Sequence, residues 1–164
     1  ALIAKNRAPG LDRSFSAQKW KNMDTKLWLD AADEAMDKEF HGTYDIWGGD
    51  LDPKAVELAR HNAELAGVED CIRFEVADAT KFHRDSEYGQ LVTNPPYGER
   101  LLERAEAEEL YRGFGRTLRD LPPKWRVLVL SSHTEFERTF GRVADKKRKL
   151  YNGMLKCDVF QYGK

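Results

Sequence analysis

Three short strand-like segments, Tyr44 to Gly49, Cys71 to Ala77 and Gln90 to Thr93, each give way to a polar residue: Asp50, Asp78 and Asn94. Helical segments are interleaved with them. Asp24 to Phe40 carries Leu27, Ala31, Ala35 and Met36 at helical spacing. Asp52 is a natural N-cap and Pro53 a natural first helical residue for the run Val56, Leu58, Ala59, Ala63 and Leu65, which Gly67 closes. Ala105 to Leu121 makes a further helix, broken by Pro122-Pro123, and Thr134 to Phe140 a short one. Arg126 to Ser131 holds Val127-Leu128-Val129-Leu130, the pattern of a strand buried on both faces. Near the end, Asn152-Gly153 is the favoured type I′ turn pair between Arg148 to Tyr151 and Met154 to Tyr162. The alternation predicts an α/β fold with a mostly parallel sheet and an antiparallel C-terminal hairpin. Ligands of such sheets sit at the carboxyl ends of the strands, so Asp50, Asp78 and Asn94 are expected to converge on one rim.

Asn94-Pro95-Pro96-Tyr97, followed by Gly98, is the stretch with the most chemistry. Each proline fixes its own φ and restricts the residue before it, so Asn94 and Pro95 are both stiffened. The side-chain oxygen of Asn94 and the carbonyl of Pro95 can accept two hydrogen bonds from one –NH₂ group and hold its nitrogen beside a methyl donor. Positive charge that develops on the amine is then stabilised more than the ground state is. Tyr97 offers a ring for a base to stack on, and Gly98 allows close backbone approach.

A length of 164 residues suits one domain. With 34% charged residues, 41% hydrophobic residues and a formal net charge of -1, the composition is that of a globular chain. The balance gives no general attraction for nucleic acid, so any such contact needs local patches. Arg142 with Lys146, Lys147, Arg148 and Lys149 is one basic cluster, while Glu103, Glu106, Glu108 and Glu109 would repel a phosphate backbone unless they point away. Cys71 and Cys157 lack metal or disulfide spacing, and His41, His61, His83 and His133 lack ligand spacing, so no metal is expected. Neither a membrane span nor a signal peptide is visible, and a cytoplasmic location is the expectation.

On Gly49-Asp50-Leu51-Asp52-Pro53, Ala59-Arg60-His61-Asn62-Ala63, Ala66-Gly67-Val68, Ala77-Asp78-Ala79, Asn94-Pro95-Pro96-Tyr97-Gly98-Glu99-Arg100 and Lys149-Leu150-Tyr151-Asn152-Gly153, the chain resembles the class I S-adenosylmethionine-dependent methyltransferases. Within them it is similar to the ribosomal RNA guanine-N2 methyltransferase L family, which carries an upstream THUMP RNA-binding domain. The resemblance implies a Rossmann-like methyltransferase sheet, S-adenosylmethionine as cofactor and RNA, in particular large-subunit rRNA, as partner. It implies that Asp50 accepts from the cofactor ribose, Asp78 from the adenine amine, and that Ala79 and Asn94 also belong to the cofactor site. Asn94, Pro95, Pro96 and Tyr97 would hold the guanine N2 amine and stack on the flipped base.

The family's glycine-rich loop between first strand and first helix has no counterpart in the chain, and Ala1 to Lys5 reads as the end of a helix stopped by Pro9-Gly10. Residues 1–164 are therefore expected to be a partial catalytic domain without the first strand and cofactor loop, one that binds S-adenosylmethionine very weakly or not at all. Adenine N6 and protein glutamine amides remain alternative targets, and a non-catalytic RNA-binding module remains an alternative class. A nicotinamide-dependent dehydrogenase is disfavoured, because the chain has no G-x-G-x-x-G.

Overall fold

A computed structural model describes residues 1–98 and 101–163, without the side chains of residues 101, 102 and 152. The chain forms two compact units, Ala1–Val76 and Ala77–Lys164.

In the first unit, strands β1 (Ile46–Asp50) and β2 (Ile72–Val76) pair in parallel, with Asp50 opposite Val76. Helices α1 (Leu2–Lys5), α2 (Thr25–Asp37) and α3 (Pro53–Leu65) complete its main elements. The Asp52 side chain accepts from Lys54 N at 2.9 Å and Pro53 takes the first turn, so α3 starts where its capping residues place it. Ala63, Val68 and Cys71 form a small buried cluster. Helix α1 ends on Asn6, which takes φ 55, rather than on Pro9-Gly10. A left-handed Asn lets Asn6 N and Arg7 N reach back to Ile3 O and Leu2 O, which closes the helix sooner than the Pro-Gly pair would. Helix α2 forms as expected, but Leu27 and Met36 are exposed, and its half-buried positions are Trp28, Ala32 and Ala35. Trp28 stacks on Phe15 at a centroid separation of 5.7 Å, and this large ring turns the helix by one residue from the face that Leu27 and Met36 define.

In the second unit, four strands run in the order β3 (Tyr88–Thr93), β4 (Lys124–Ser131), β6 (Leu155–Tyr162) and β5 (Lys146–Asn152). Strands β3 and β4 are parallel and joined through helix α4 (Leu101–Thr117), whereas β4–β6 and β6–β5 are antiparallel. The sheet is thus mixed, because β6 enters beside β4 instead of lying apart as a terminal appendage. Val127, Val129 and Ser131 are buried while Leu128 and Leu130 are only half-buried, so β4 packs mainly on one face and not on both as its unbroken apolar run predicts. That buried face meets Tyr111, Phe114, Phe136 and Phe140 from α4 and α5 (Phe136–Phe140). Gly115 makes this contact close: a Cβ there would lie 2.0 Å from the Phe140 carbonyl oxygen.

The hairpin is present with its turn one residue later than Asn152-Gly153. Asn152 pairs with Leu155, leaving Gly153-Met154 as the two-residue loop. Gly153 has φ 63 and Met154 does not have a positive φ, the arrangement of a glycine-first II′ turn instead of I′.

Candidate active site

Asn94 leaves β3 one residue beyond Thr93, and the loop through Gly98 follows. Among the described residues, neither the Asn94 carboxamide nor the Pro95 carbonyl has a hydrogen-bond partner within the chain. The next carbonyl is held instead. Tyr111 of α4, fully buried, donates its hydroxyl to Pro96 O at 2.5 Å. Because that single proton goes to an acceptor-only carbonyl, the 3.3 Å contact between Tyr111 and Ser131 has the serine hydroxyl as donor. Ser131 Oγ in turn accepts from His133 N at 3.1 Å. Burial pushes the Tyr111 phenol above its ordinary value, so it stays protonated and able to donate.

The rest of the loop is fixed by close packing. Gly98 has φ 66, and a Cβ on it would lie 2.6 Å from Arg104 Cα. The close approach expected of this glycine is therefore to the backbone of α4. Tyr97 is half-buried with its hydroxyl shielded from solvent, and with Pro96, Gly98, Glu103, Glu106, Ala107 and Leu110 it lines a cavity of about 360 Å³. Glu99 and Arg100 lie outside the described residues.

Two of the four carboxylates in the acidic stretch of α4, Glu108 and Glu109, are paired with arginines of the same helix, while Glu103 and Glu106 line the cavity beside Tyr97. Glu108 pairs with Arg104 and Arg112, which hold its carboxyl below the ordinary range, and Glu109 pairs with Arg112 and Arg116. His133 is a buried packing residue, edge-on to Tyr111 at 5.6 Å. Its Nδ1 accepts from Glu135 N, and its Nε2 lies 3.3 Å from Glu108 Oε1 in a geometry too bent for a hydrogen bond.

Asp78 caps the short turn Ala79–Lys81: its Oδ1 accepts from Thr80 N at 2.9 Å and from Thr80 Oγ1 at 2.7 Å. These two bonds hold its carboxyl below the ordinary range, so the group is a carboxylate at neutral pH. Its Oδ2 lies 3.8 Å from Lys81 Nζ and takes no hydrogen bond among the described residues. The Ala79 N–H, first in the turn, likewise has no acceptor among the described residues. Helix α4 supports this turn as well as the loop, since Thr117 Oγ1 donates to Thr80 O and a Cβ on Gly113 would lie 2.9 Å from Thr80 Cγ2. In the first unit, Asp50 ends β1 exposed to solvent, with Oδ1 accepting from Asp52 N at 2.9 Å and Oδ2 without a hydrogen bond among the described residues. Among the described residues no three His, Cys, Asp or Glu side chains are grouped to hold a metal, and no helix is long and apolar enough to cross a membrane.

Sequence reasoning did not find Tyr111 or Ser131. Tyr111 sits at ordinary helical spacing, and only the tertiary contact separates it from any other core aromatic.

Known proteins resemble this chain over nearly its whole length. "Putative RNA methyltransferase YpsC" of Bacillus subtilis is 40% identical over 99% of this chain and 42% of its own length. "Ribosomal RNA large subunit methyltransferase K/L" of Shewanella baltica is 39% identical over 96% of this chain and 23% of its own length. The crystal structure of SMU.472, described as "a putative methyltransferase complexed with SAH", superposes with a TM-score of 0.93 at 41% identity, covering 99% of this chain and 44% of that one. The chain thus spans less than half the length of the relatives it matches, and its α/β fold is a Rossmann-like methyltransferase fold. The model of the family UPF0020, RMKL-like, methyltransferase domain, matches residues 1–161, and the chain belongs to that family.

Proposed function

We propose that the chain is part of the catalytic domain of an S-adenosylmethionine-dependent methyltransferase that modifies an exocyclic amine of RNA, guanine N2 of large-subunit rRNA. One observation carries the reading: in a loop whose Pro96 carbonyl is tied down by Tyr111, the two acceptors next to it, Asn94 Oδ1 and Pro95 O, have no hydrogen-bond partner among the described residues. Rigid, unspent acceptors suit a –NH₂ group that brings two donors. As the amine nitrogen becomes electron-poor, Asn94 and Pro95 stabilise its N–H bonds more strongly than they did in the ground state. The half-buried Tyr97 beside them supplies a ring face for the base.

The chain's polar groups also fit the proposed cofactor. Asp78 Oδ2 can accept from an adenine amine while the Ala79 N–H donates to the neighbouring ring nitrogen, and Asp50 Oδ2 can accept from a ribose hydroxyl. When bound, S-adenosylmethionine supplies an electrophilic methyl carbon. The names of the relatives, an rRNA large subunit methyltransferase among them, support RNA as the target.

The test is Asn94→Ala in the full-length protein. Methyl transfer to rRNA is expected to fall by about 100-fold or more while cofactor affinity is largely kept; undiminished turnover would count against the assignment. Nucleoside analysis of large-subunit rRNA from cells lacking the gene is expected to show loss of N2-methylguanosine. Loss of N6-methyladenosine in its place would correct the base and leave the amine chemistry standing.

A further inference from the structure

The hairpin that closes the second unit carries charge that the fold does not use. Residues 146–162 contain five Lys or Arg and a single acidic residue, Asp158. The cluster Arg142 with Lys146 to Lys149 is divided by the structure. Arg142 pairs with Asp145 and lies against the Tyr162 ring, and Lys147 pairs with Glu137, so these two belong to the packing at the hairpin's base. Lys146, Arg148, Lys149 and Lys156 are exposed and have no ion pair among the described residues. Strand β5 is the edge of its sheet, bonded to β6 on one side only. Register places Lys149, Tyr151 and Lys156 on one face near the tip, with Lys156 opposite Tyr151 and Asp158 opposite Lys149, while Lys146 and Arg148 occupy the other face. Tyr151 is 72% exposed, an aromatic ring between two unpaired ammonium groups.

We infer that this edge is an RNA-docking strip, in which Lys146, Arg148 and Lys149 meet phosphates and Tyr151 stacks on an unpaired base. The inference rests on the reading of the chain as an RNA-modifying domain and adds where the strand runs. Cations two residues apart on a strand stand about 6.7 Å from each other, a spacing suited to successive phosphates of an extended strand. Tyr151 shares its face with Lys149, and an exposed ring beside a cation at the same edge favours single-stranded over duplex RNA, because only an unpaired base exposes its face.

The experiment is fluorescence anisotropy of a labelled single-stranded RNA titrated with the full-length protein over a series of potassium chloride concentrations. The variant K146Q/R148Q/K149Q is compared with K19Q/K21Q/K26Q, which removes the same charge from exposed lysines elsewhere, both checked for an unchanged thermal melt. The strip variant is expected to lose about 0.7 of logarithmic salt slope for each phosphate contact removed, and the control none. Tyr151→Ala is expected to weaken binding by about 5-fold or more at every salt concentration without changing the slope. Salt-sensitive binding that the strip variant leaves untouched, or that the control reduces equally, overturns the strip and spares the RNA reading. Binding to phosphatidylserine vesicles with none to RNA overturns both.

Discussion

Tyr111 is worth more to the loop than its place in the hydrophobic core suggests. Its ring is buried against Phe136 at 4.9 Å, and its hydroxyl sets the height of the Pro96 carbonyl. Tyr111→Phe keeps the ring and removes the donor, leaving Pro96 O and the Ser131 hydroxyl each short of a partner. The expected cost is about 1 kcal/mol of stability, read as a modest fall in melting temperature. Methyl transfer by the full-length protein should suffer more, by about 10- to 100-fold, because the adjacent Asn94 and Pro95 acceptors lose their aim. Wild-type turnover in a variant whose melting temperature does fall would show that the bond serves packing alone.

Elements are joined at two glycines that share a positive φ but differ in their surroundings. Gly98 at φ 66 lies against α4, whereas Gly153 at φ 63 turns the hairpin with nothing within 4 Å of a would-be Cβ. Gly153→Ala is expected to cost only the positive-φ penalty of an L-residue, about 1–2 kcal/mol. Gly98→Ala adds a backbone collision and should cost more than about 2 kcal/mol; chemical denaturation of the two variants side by side checks the ranking. The same contrast marks how far the sequence could be read. Strand and helix positions followed from periodicity and capping, as at Asp52-Pro53, and Asn94 was correctly set just past a strand. Finer placement depended on contacts that periodicity does not encode: Trp28 on Phe15 chose the face of α2, strand register chose Gly153-Met154 for the turn, and the hydroxyl of Tyr111 became significant only beside Pro96.

At the scale of the whole molecule, the second unit is held by aromatic packing, with Phe136 and Phe160 at 4.5 Å and Phe140 and Tyr162 at 4.9 Å. Two of its phenols, Tyr111 and Tyr162, are pushed above their ordinary value by burial. An unfolded tyrosine titrates near pH 10, so the folded chain is the form that holds the proton more tightly. Their contribution to stability is complete below about pH 10 and is lost as the pH rises through the folded values. Circular dichroism is expected to show alkaline unfolding that steepens above about pH 10, with Tyr162→Phe moving its onset upward. An onset unchanged by that substitution would place the sensitive group elsewhere.

Strand β5 leaves one row of backbone N–H and C=O groups facing outward, the feature by which sheets of separate molecules join into larger stacks. Lys146, Arg148 and Lys149 stand along that row. Two copies approaching edge to edge would bring like charges together before any ladder could form, so the cations that suit a polyanion also discourage self-assembly.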